Sequence, residues 1–160
     1  MKSRTKARSL ALQILYEVDQ SGHLLGDVIQ SRLNDNEFNK DFYDPNDDPS
    51  NLEPALVDFA IKIVQGIIPL IPRLDQLISQ HAPEWPLDQV AVIDRNIIRI
   101  ALWEFAIEKC TPTKVAINEA IELAKLFGSE STPRFVNGVL GSLSARQNEI
   151  YLTFSGHQST

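Results

Sequence analysis

The sequence predicts an all-α protein, and three observations support this prediction. Apolar residues recur at helical spacing over most of the chain, as they do through residues 7–18. No segment shows the strict alternation of apolar and polar residues that is typical of a half-exposed strand. Residues that favour helix ends, such as Ser21-Gly22, Gly128 and Ser131-Thr132-Pro133, separate the periodic segments. We therefore expect a compact bundle of about seven helices.

The periodic segments also locate the individual helices. They are expected over residues 7–21, 24–34, 54–68, 71–81, 90–108, 113–127 and 131–146. Gly128 should end the sixth helix in a left-handed conformation, and Pro133 suits the first turn of the seventh. Residues 148–160 should form a flexible tail.

Length and composition indicate a single cytoplasmic domain. A chain of 160 residues with 43% hydrophobic and 22% charged residues is typical of a soluble globular protein. Charged residues and prolines interrupt the longest apolar runs, so we expect no membrane span. The basic N-terminus precedes helically spaced apolar residues without a cleavage site, which argues against an export signal. Cys110 has no second cysteine to pair with, as is usual in a reducing compartment.

Charge is unevenly distributed along the chain. The formal net charge of −6 equals the charge of residues 35–53 alone, where seven acids face one lysine. Residues 2–8, which we call the basic segment, hold Lys2, Arg4, Lys6 and Arg8 and no acid. A ligand that touches one face responds to this local potential more than to the net charge.

The acidic stretch 34–54 is rich in Asn, Asp and Pro and is predicted to be a long surface loop. Its densest part, residues 44–48 (DPNDD), has oxygen ligands that Ca²⁺ would accept. It lacks the glycine and the terminal glutamate of an EF-hand loop, so we expect a solvated loop and no metal site.

The basic segment has two interpretations. Positive charge at the N-terminal end of a helix interacts unfavourably with the helix dipole. The cations of the basic segment are therefore expected either to precede the helix or to contact a polyanion. The segment is then either a solvated terminus or a group of cations that neutralise phosphates.

Residues 113–141 combine predicted core and surface. In the sixth helix the buried stripe is expected to comprise Ile117, Ala120, Ile121, Ala124 and Phe127. In the seventh it is expected to comprise Val136, Val139, Leu140 and Leu143. Phe135 lies at the edge of that stripe beside Arg134, where it either closes the core or stacks against bases near a helix N-terminus.

Catalytic motifs are missing from the sequence. The three histidines are scattered, none pairs with Cys110 at zinc-ligand spacing, and neither GxxxxGK[ST] nor GxSxG occurs. We therefore expect no enzyme activity, no catalytic residue and no cofactor.

Three segments resemble the NusB family of bacterial antitermination factors. Residues 114–141 (KVAINEAIELAKLFGSESTPRFVNGVLG) closely resemble its C-terminal signature. Residues 7–19 (ARSLALQILYEVD) and 92–105 (VIDRNIIRIALWEF) resemble its first and central helices. The resemblance implies one NusB-like helical RNA-binding domain over 1–147, with 34–54 as an insertion.

The resemblance also implies a function. Members of the family bind boxA, a short single-stranded element of leader RNA, together with NusE, a small-subunit ribosomal protein. The assembly joins RNA polymerase and other Nus factors and supports processive ribosomal RNA transcription. Some relatives self-associate, so a homodimer stays open.

The matching positions imply specific contacts. RNA contacts are implied at Arg4, Lys6, Arg8, Lys114, Asn118, Ser131, Arg134 and Phe135. The implied contacts with NusE are Tyr16 and Asp94, while Arg99 could equally form a structural ion pair. The basic segment is sparser than the family's arginine run, and Ser131 and Pro133 replace more polar or charged residues. A basic partner would extend the positive surface, and Asp94 would attract it.

Two alternatives remain on the sequence alone. The first is a helical protein–protein adaptor without an RNA role. The second is a stand-alone relative of the helical domain that precedes the catalytic part of certain ribosomal RNA cytosine methyltransferases.

Overall fold

The computed structural model describes residues 3–33, 54–82 and 90–156. Contacts divide the chain into two compact units, residues 1–65 and 66–160. All regular structure within the described ranges is helical, which confirms the predicted all-α class. The predicted acidic loop lies outside these ranges, apart from Pro54.

The first unit contains α1 (Ser3–Ser21), α2 (Leu25–Leu33) and most of α3 (Pro54–Ile67). Helices α1 and α2 pack together across a short turn. Gly22 makes this turn with a φ of 67°, a left-handed conformation that glycine adopts without steric cost. The predicted stripe of α1 is buried at five positions, Ala7, Leu10, Ala11, Ile14 and Leu15, whereas Val18 at its end is only half-buried.

Helix α1 begins at Ser3, earlier than the apolar spacing predicts. Arg4, Lys6 and Arg8 therefore lie on its first two turns instead of upstream of them. No acidic residue stands in the first turn to offset their charge. The apolar pattern begins only at Ala7, so it carries no signal for the helical turn before it.

The second unit begins at the end of α3. Its further elements are a 3₁₀ turn (Ile68–Leu70), α4 (Ile71–His81), α5 (Val92–Leu102), a π-helical segment (Trp103–Ile107), α6 (Thr113–Phe127), α7 (Thr132–Ser144) and α8 (Gln147–Ser155). Helices α5, α6 and α7 pack against one another, and the π segment packs against α8. Gly66 allows a close approach in this unit, since a Cβ there would lie 2.5 Å from Nε1 of Trp103.

Three local predictions for the second unit were wrong. Gly128 ends α6 in an extended conformation (φ −88°, ψ −178°) and not in a left-handed one. The buried side of α6 is rotated by about one residue from the predicted stripe. It consists of Ala116, Ala120, Leu123 and Ala124. The prediction is thus confirmed for Ala120 and Ala124 and wrong for Ile117, Ile121 and Phe127, which are only half-buried.

The third correction concerns the C-terminus, where a flexible tail was expected. Residues 147–155 form helix α8, with Ile150 and Phe154 both 4% exposed. Two buried residues four positions apart anchor one face of this short helix. Two apolar positions are too few for helical periodicity to be recognised in the sequence.

The prolines at 69 and 72 interrupt the helix pattern less than expected. Pro69 falls in the 3₁₀ turn and Pro72 in the first turn of α4, where a missing N–H costs little. The continuous stretch Ala55–His81 is long and apolar enough to cross a membrane by length and composition alone. That is weak evidence for a span, because core helices of soluble proteins pass the same test.

Candidate nucleic-acid interface

The basic segment is organised around an aromatic ring in the first unit. Arg4 is exposed, and its Cζ lies 4.8 Å from the centroid of the Phe59 ring. Cζ of Arg8 lies 5.5 Å from the same centroid. Both distances fall within cation–π range, so Phe59 on α3 attracts two guanidinium groups of α1.

Burial distinguishes the three cations predicted to contact RNA. Arg4 is exposed and Lys6 is half-buried, whereas the Arg8 side chain is only 2% exposed. Arg8 therefore has little surface for a phosphate, and its guanidinium contacts the Phe59 ring. The apolar pattern could not predict that Arg8 is buried, because such a pattern counts only apolar residues and position 8 is charged.

The remaining predicted RNA residues lie on α6, on α7 and just before α7, in the second unit. Lys114, Asn118, Ser131 and Arg134 are exposed, as a role in ligand binding requires. Phe135 is half-buried, so its ring is neither wholly core nor wholly free. Because α6 and α7 pack together, these side chains belong to one helix pair.

Thr132 is a functional candidate that the sequence did not single out. Its side chain is fully buried, and its hydroxyl donates to Oδ1 of Asp94 over 3.0 Å. The hydroxyl oxygen of Thr132 in turn accepts the Ser129 backbone N–H over 2.9 Å. Thr132 thus joins the first turn of α5 to the α6–α7 junction, and it begins the helix that carries Arg134 and Phe135.

Gly128 makes this arrangement possible. A Cβ at position 128 would lie 2.5–2.6 Å from Cβ, Cγ2 and Oγ1 of Thr132. The glycine is therefore required by close packing and not by an unusual φ. In the sequence, the only trace of this contact is a glycine at the end of the sixth predicted helix with a threonine four residues later.

Asp94 has the electrostatics of a carboxylate that lacks a counterion. It is half-buried, and burial raises its pKa, while the hydrogen bond from Thr132 partly opposes this change. No cation among the described residues forms an ion pair with it. A cation supplied from outside this unit would stabilise its ionised form.

Arg99 has the structural role that was left open for it. It is 2% exposed, and its Nε and Nη2 donate to the two carboxylate oxygens of Asp75 over 2.8 and 2.7 Å. Its Nη1 donates to Oδ1 of Asn96 over 2.8 Å. This bidentate ion pair links α5 to α4. Asp94, the acidic residue in the first turn of α5, takes no part in it. Tyr16, the other predicted partner residue, is 40% exposed on α1.

Comparison with known proteins gives a consistent result. The NusB family profile matches residues 5–145. Transcription antitermination protein NusB of Dehalococcoides mccartyi strain CBDB1 is 42% identical over 142 residues, which are 89% of this chain and 90% of that protein. The protein of that name from Bacillus pumilus is 38% identical over 143 residues, covering 89% and 95%.

Solved structures agree in fold. NusB of T. maritima superposes with a TM-score of 0.69 at 28% identity, covering 89% of this chain and 90% of that one. A crystal structure of antitermination factors NusB and NusE in complex with dsRNA gives a TM-score of 0.71. At 23% identity, over 89% of this chain and 96% of that one, this likeness shows the fold alone. Since the profile covers most of the chain and relatives exceed one third identity, this protein belongs to the NusB family.

Proposed function

We propose that this protein is a non-catalytic transcription antitermination factor that binds boxA-type single-stranded leader RNA together with NusE. Its curated relatives carry the antitermination name, and a structural relative was solved with NusE and RNA. The observation that carries the proposal is the hydrogen bond between Thr132 and Asp94. It links the expected partner carboxylate to the helix that bears the expected RNA contacts.

The RNA contacts divide by chemistry. Arg4, Lys6, Lys114 and Arg134 supply positive charge for phosphates, which makes affinity depend on salt. Phe135 presents the exposed part of its ring for stacking with an unpaired base. Asn118 and Ser131 are exposed and offer hydrogen bonds to bases or sugars.

The partner contacts rest on Asp94 and Tyr16. A half-buried carboxylate without a described counterion favours a basic partner such as NusE. Tyr16 provides an exposed aromatic side chain of the kind that anchors interfaces. Assembly with RNA polymerase and other Nus factors in the cytoplasm is part of the same proposal.

The direct experiment measures binding of boxA RNA by fluorescence anisotropy, with and without NusE, over a salt series. We expect NusE to tighten binding and salt to weaken it. The double variant R4Q/K6Q should bind more weakly with a shallower salt dependence. A double variant of the same charge change at exposed residues without an assigned binding role, K109Q/K125Q, serves as the control.

Each outcome of this experiment has a distinct meaning. Equal losses for the two double variants would remove the basic segment from the mechanism. Absence of RNA binding even with NusE would favour the adaptor function. Light scattering of the free protein decides whether it forms the homodimer that some relatives form.

A further inference from the structure

We propose that a pocket between α4 and α8 in the second unit binds a small organic anion, in which a carboxylate or phosphate is joined to an apolar body. The pocket has a volume of about 340 Å³. Its wall includes the charged or titratable side chains of Arg73, His81, Arg146 and Glu149. None of the residues predicted to contact RNA or NusE lines it, so this inference does not depend on the proposed function.

The charges around the pocket favour a negative ligand. Two guanidinium groups face one carboxylate, so the wall carries a net positive charge even with a neutral imidazole. No carboxylate among the described residues forms an ion pair with Arg146. The guanidinium of Arg146 is therefore available to a bound oxyanion, which it can hold with two parallel hydrogen bonds.

Arg73 is already held in position at the pocket wall. Its Nη2 donates to the backbone oxygen of Thr153 over 3.2 Å, and its Cζ lies 4.0 Å from the centroid of the Phe154 ring. A guanidinium has five N–H donors, so most of them remain after the bond to Thr153. A cation fixed before binding loses less conformational entropy when it meets a ligand.

His81 adds a titratable group beside Arg146. Burial, and secondarily the positive charge of Arg146, lowers the pKa of His81. An anion between the two side chains would offset that charge and favour the protonated imidazole. Binding should therefore be accompanied by proton uptake and strengthen as the pH falls. The other polar side chains lining the pocket are Arg73, Gln76 and Gln80 on α4, and Glu149 and Thr153 on α8.

Apolar side chains complete the pocket and set the size of the ligand. Leu77 and Ile150 lie among the lining residues, and Ile150 is 4% exposed. The volume lies near the lower end for small-molecule pockets. An inorganic ion would leave the apolar side unfilled, whereas an anion with a short apolar body contacts both parts.

The pocket includes a part of the chain that the family profile does not cover. The match to the NusB family ends at residue 145, whereas Arg146 and all of α8 follow it. The helix that the sequence predicted as a tail thus supplies one wall. The proposed ligand site therefore combines α4, which lies within the matched portion, with a C-terminal segment that follows it.

A titration followed by ¹H–¹⁵N NMR of the full chain tests the proposal with four probes. Benzoate and phenyl phosphate carry the two oxyanions on an apolar ring. Neutral benzamide and inorganic phosphate each lack one required part. We expect saturable shifts at His81 and Arg146 with at least one ring anion, and binding at least about tenfold weaker for benzamide and inorganic phosphate.

Variants then assign the effect to the pocket. R146Q should weaken binding of the preferred ring anion about tenfold, because a charge-assisted hydrogen bond is lost. E149Q should strengthen it about twofold or more by removing the opposing charge. K125Q removes an exposed cation of α6 whose ion pair is with Glu122, and it should leave binding unchanged. Circular dichroism confirms that each variant is folded.

The pH dependence supplies an independent readout. The imidazole of His81 should titrate at higher pH with the ring anion bound than without it. H81Q should abolish the pH dependence of affinity that remains after the titration of the anion itself is subtracted. Equal weakening by R146Q and K125Q would overturn the proposal in favour of general charge attraction. Shifts at the pocket caused by boxA RNA but by none of the ring anions would also overturn it, since the pocket would then be a nucleic-acid contact.

Discussion

The basic segment on α1 and the α6–α7 junction both carry predicted RNA contacts, but different interactions hold them in place. Around the basic segment, Arg4 and Arg8 approach the ring of Phe59 through a contact that tolerates many geometries. At the junction, one buried hydroxyl holds two partners at hydrogen-bond distance, and a glycine leaves room for it. The first region is suited to a salt-dependent grip on phosphates, and the second to a defined orientation of α7.

The largest effect is expected from filling the space beside Thr132. Gly128→Ala places a Cβ about where the threonine side chain lies, so α6 and α7 must shift. We expect a loss of about 2–3 kcal/mol in the free energy of unfolding, measured by urea denaturation. Gly138→Ala is the matched control, because nothing lies within 4 Å of its added Cβ. It should gain about 0.5–1 kcal/mol as a helical residue, and equal effects of the two variants would contradict this account.

Removing the Thr132 hydroxyl should have the next largest effect. Thr132→Val leaves the Ser129 N–H and one oxygen of Asp94 without this partner, at a cost of about 2 kcal/mol. We also expect NusE to tighten RNA binding less in this variant. Thr132→Ser keeps the hydroxyl and should restore the effect of NusE. If valine and serine behave alike in RNA binding, the link between Asp94 and α7 is only structural.

The basic segment allows charge and positioning to be separated. Phe59→Leu keeps all cations but removes the ring that orders them, so RNA affinity should fall about two- to fivefold with an unchanged salt slope. Arg4→Gln should reduce the slope of log affinity against log salt by about one. Anisotropy titrations at several salt concentrations measure both quantities. A changed slope in the Phe59 variant would show that ordering and charge are not separable here.

The smallest effect on stability is expected at Asp94. Its pKa is raised in the folded protein by burial, so the folded state holds the proton more tightly than the unfolded state does. Ionised Asp94 therefore lowers stability as the pH rises from 3.8, its ordinary value, through the folded pKa. The difference in unfolding free energy between the wild type and Asp94→Asn should therefore change between pH 3.8 and the folded pKa, to the disadvantage of the wild type, and stay constant at higher pH.

The same Asp94→Asn variant should bind NusE more weakly at neutral pH, because the negative charge is lost while an oxygen remains to accept from Thr132. Isothermal titration calorimetry with NusE measures this, and pH-dependent denaturation measures the stability. A variant that binds NusE as the wild type does would remove Asp94 from the interface.

Patterns within one helix were predicted well from the sequence. In α7 the predicted stripe is buried throughout, because four apolar residues at helical spacing leave one orientation for the helix. They are Val136, Val139, Leu140 and Leu143. In α6, alanines and isoleucines occupy adjacent faces, and composition alone could not choose which of them faces the core. The family signature likewise lies in contiguous residues, and the fold it implied is confirmed.

The sequence by itself determined the helical class, most helix positions and the family, because these follow from residues close together in the chain. Only the tertiary structure decided which polar groups meet. Thr132 and Asp94 are 38 positions apart, and Arg99 and Asp75 are 24 apart. It also decided that Arg8 is buried and that the last helix forms a pocket wall. Such contacts depend on how helices pack against one another. The spacing of residues along one helix does not specify which residues of another helix it will contact.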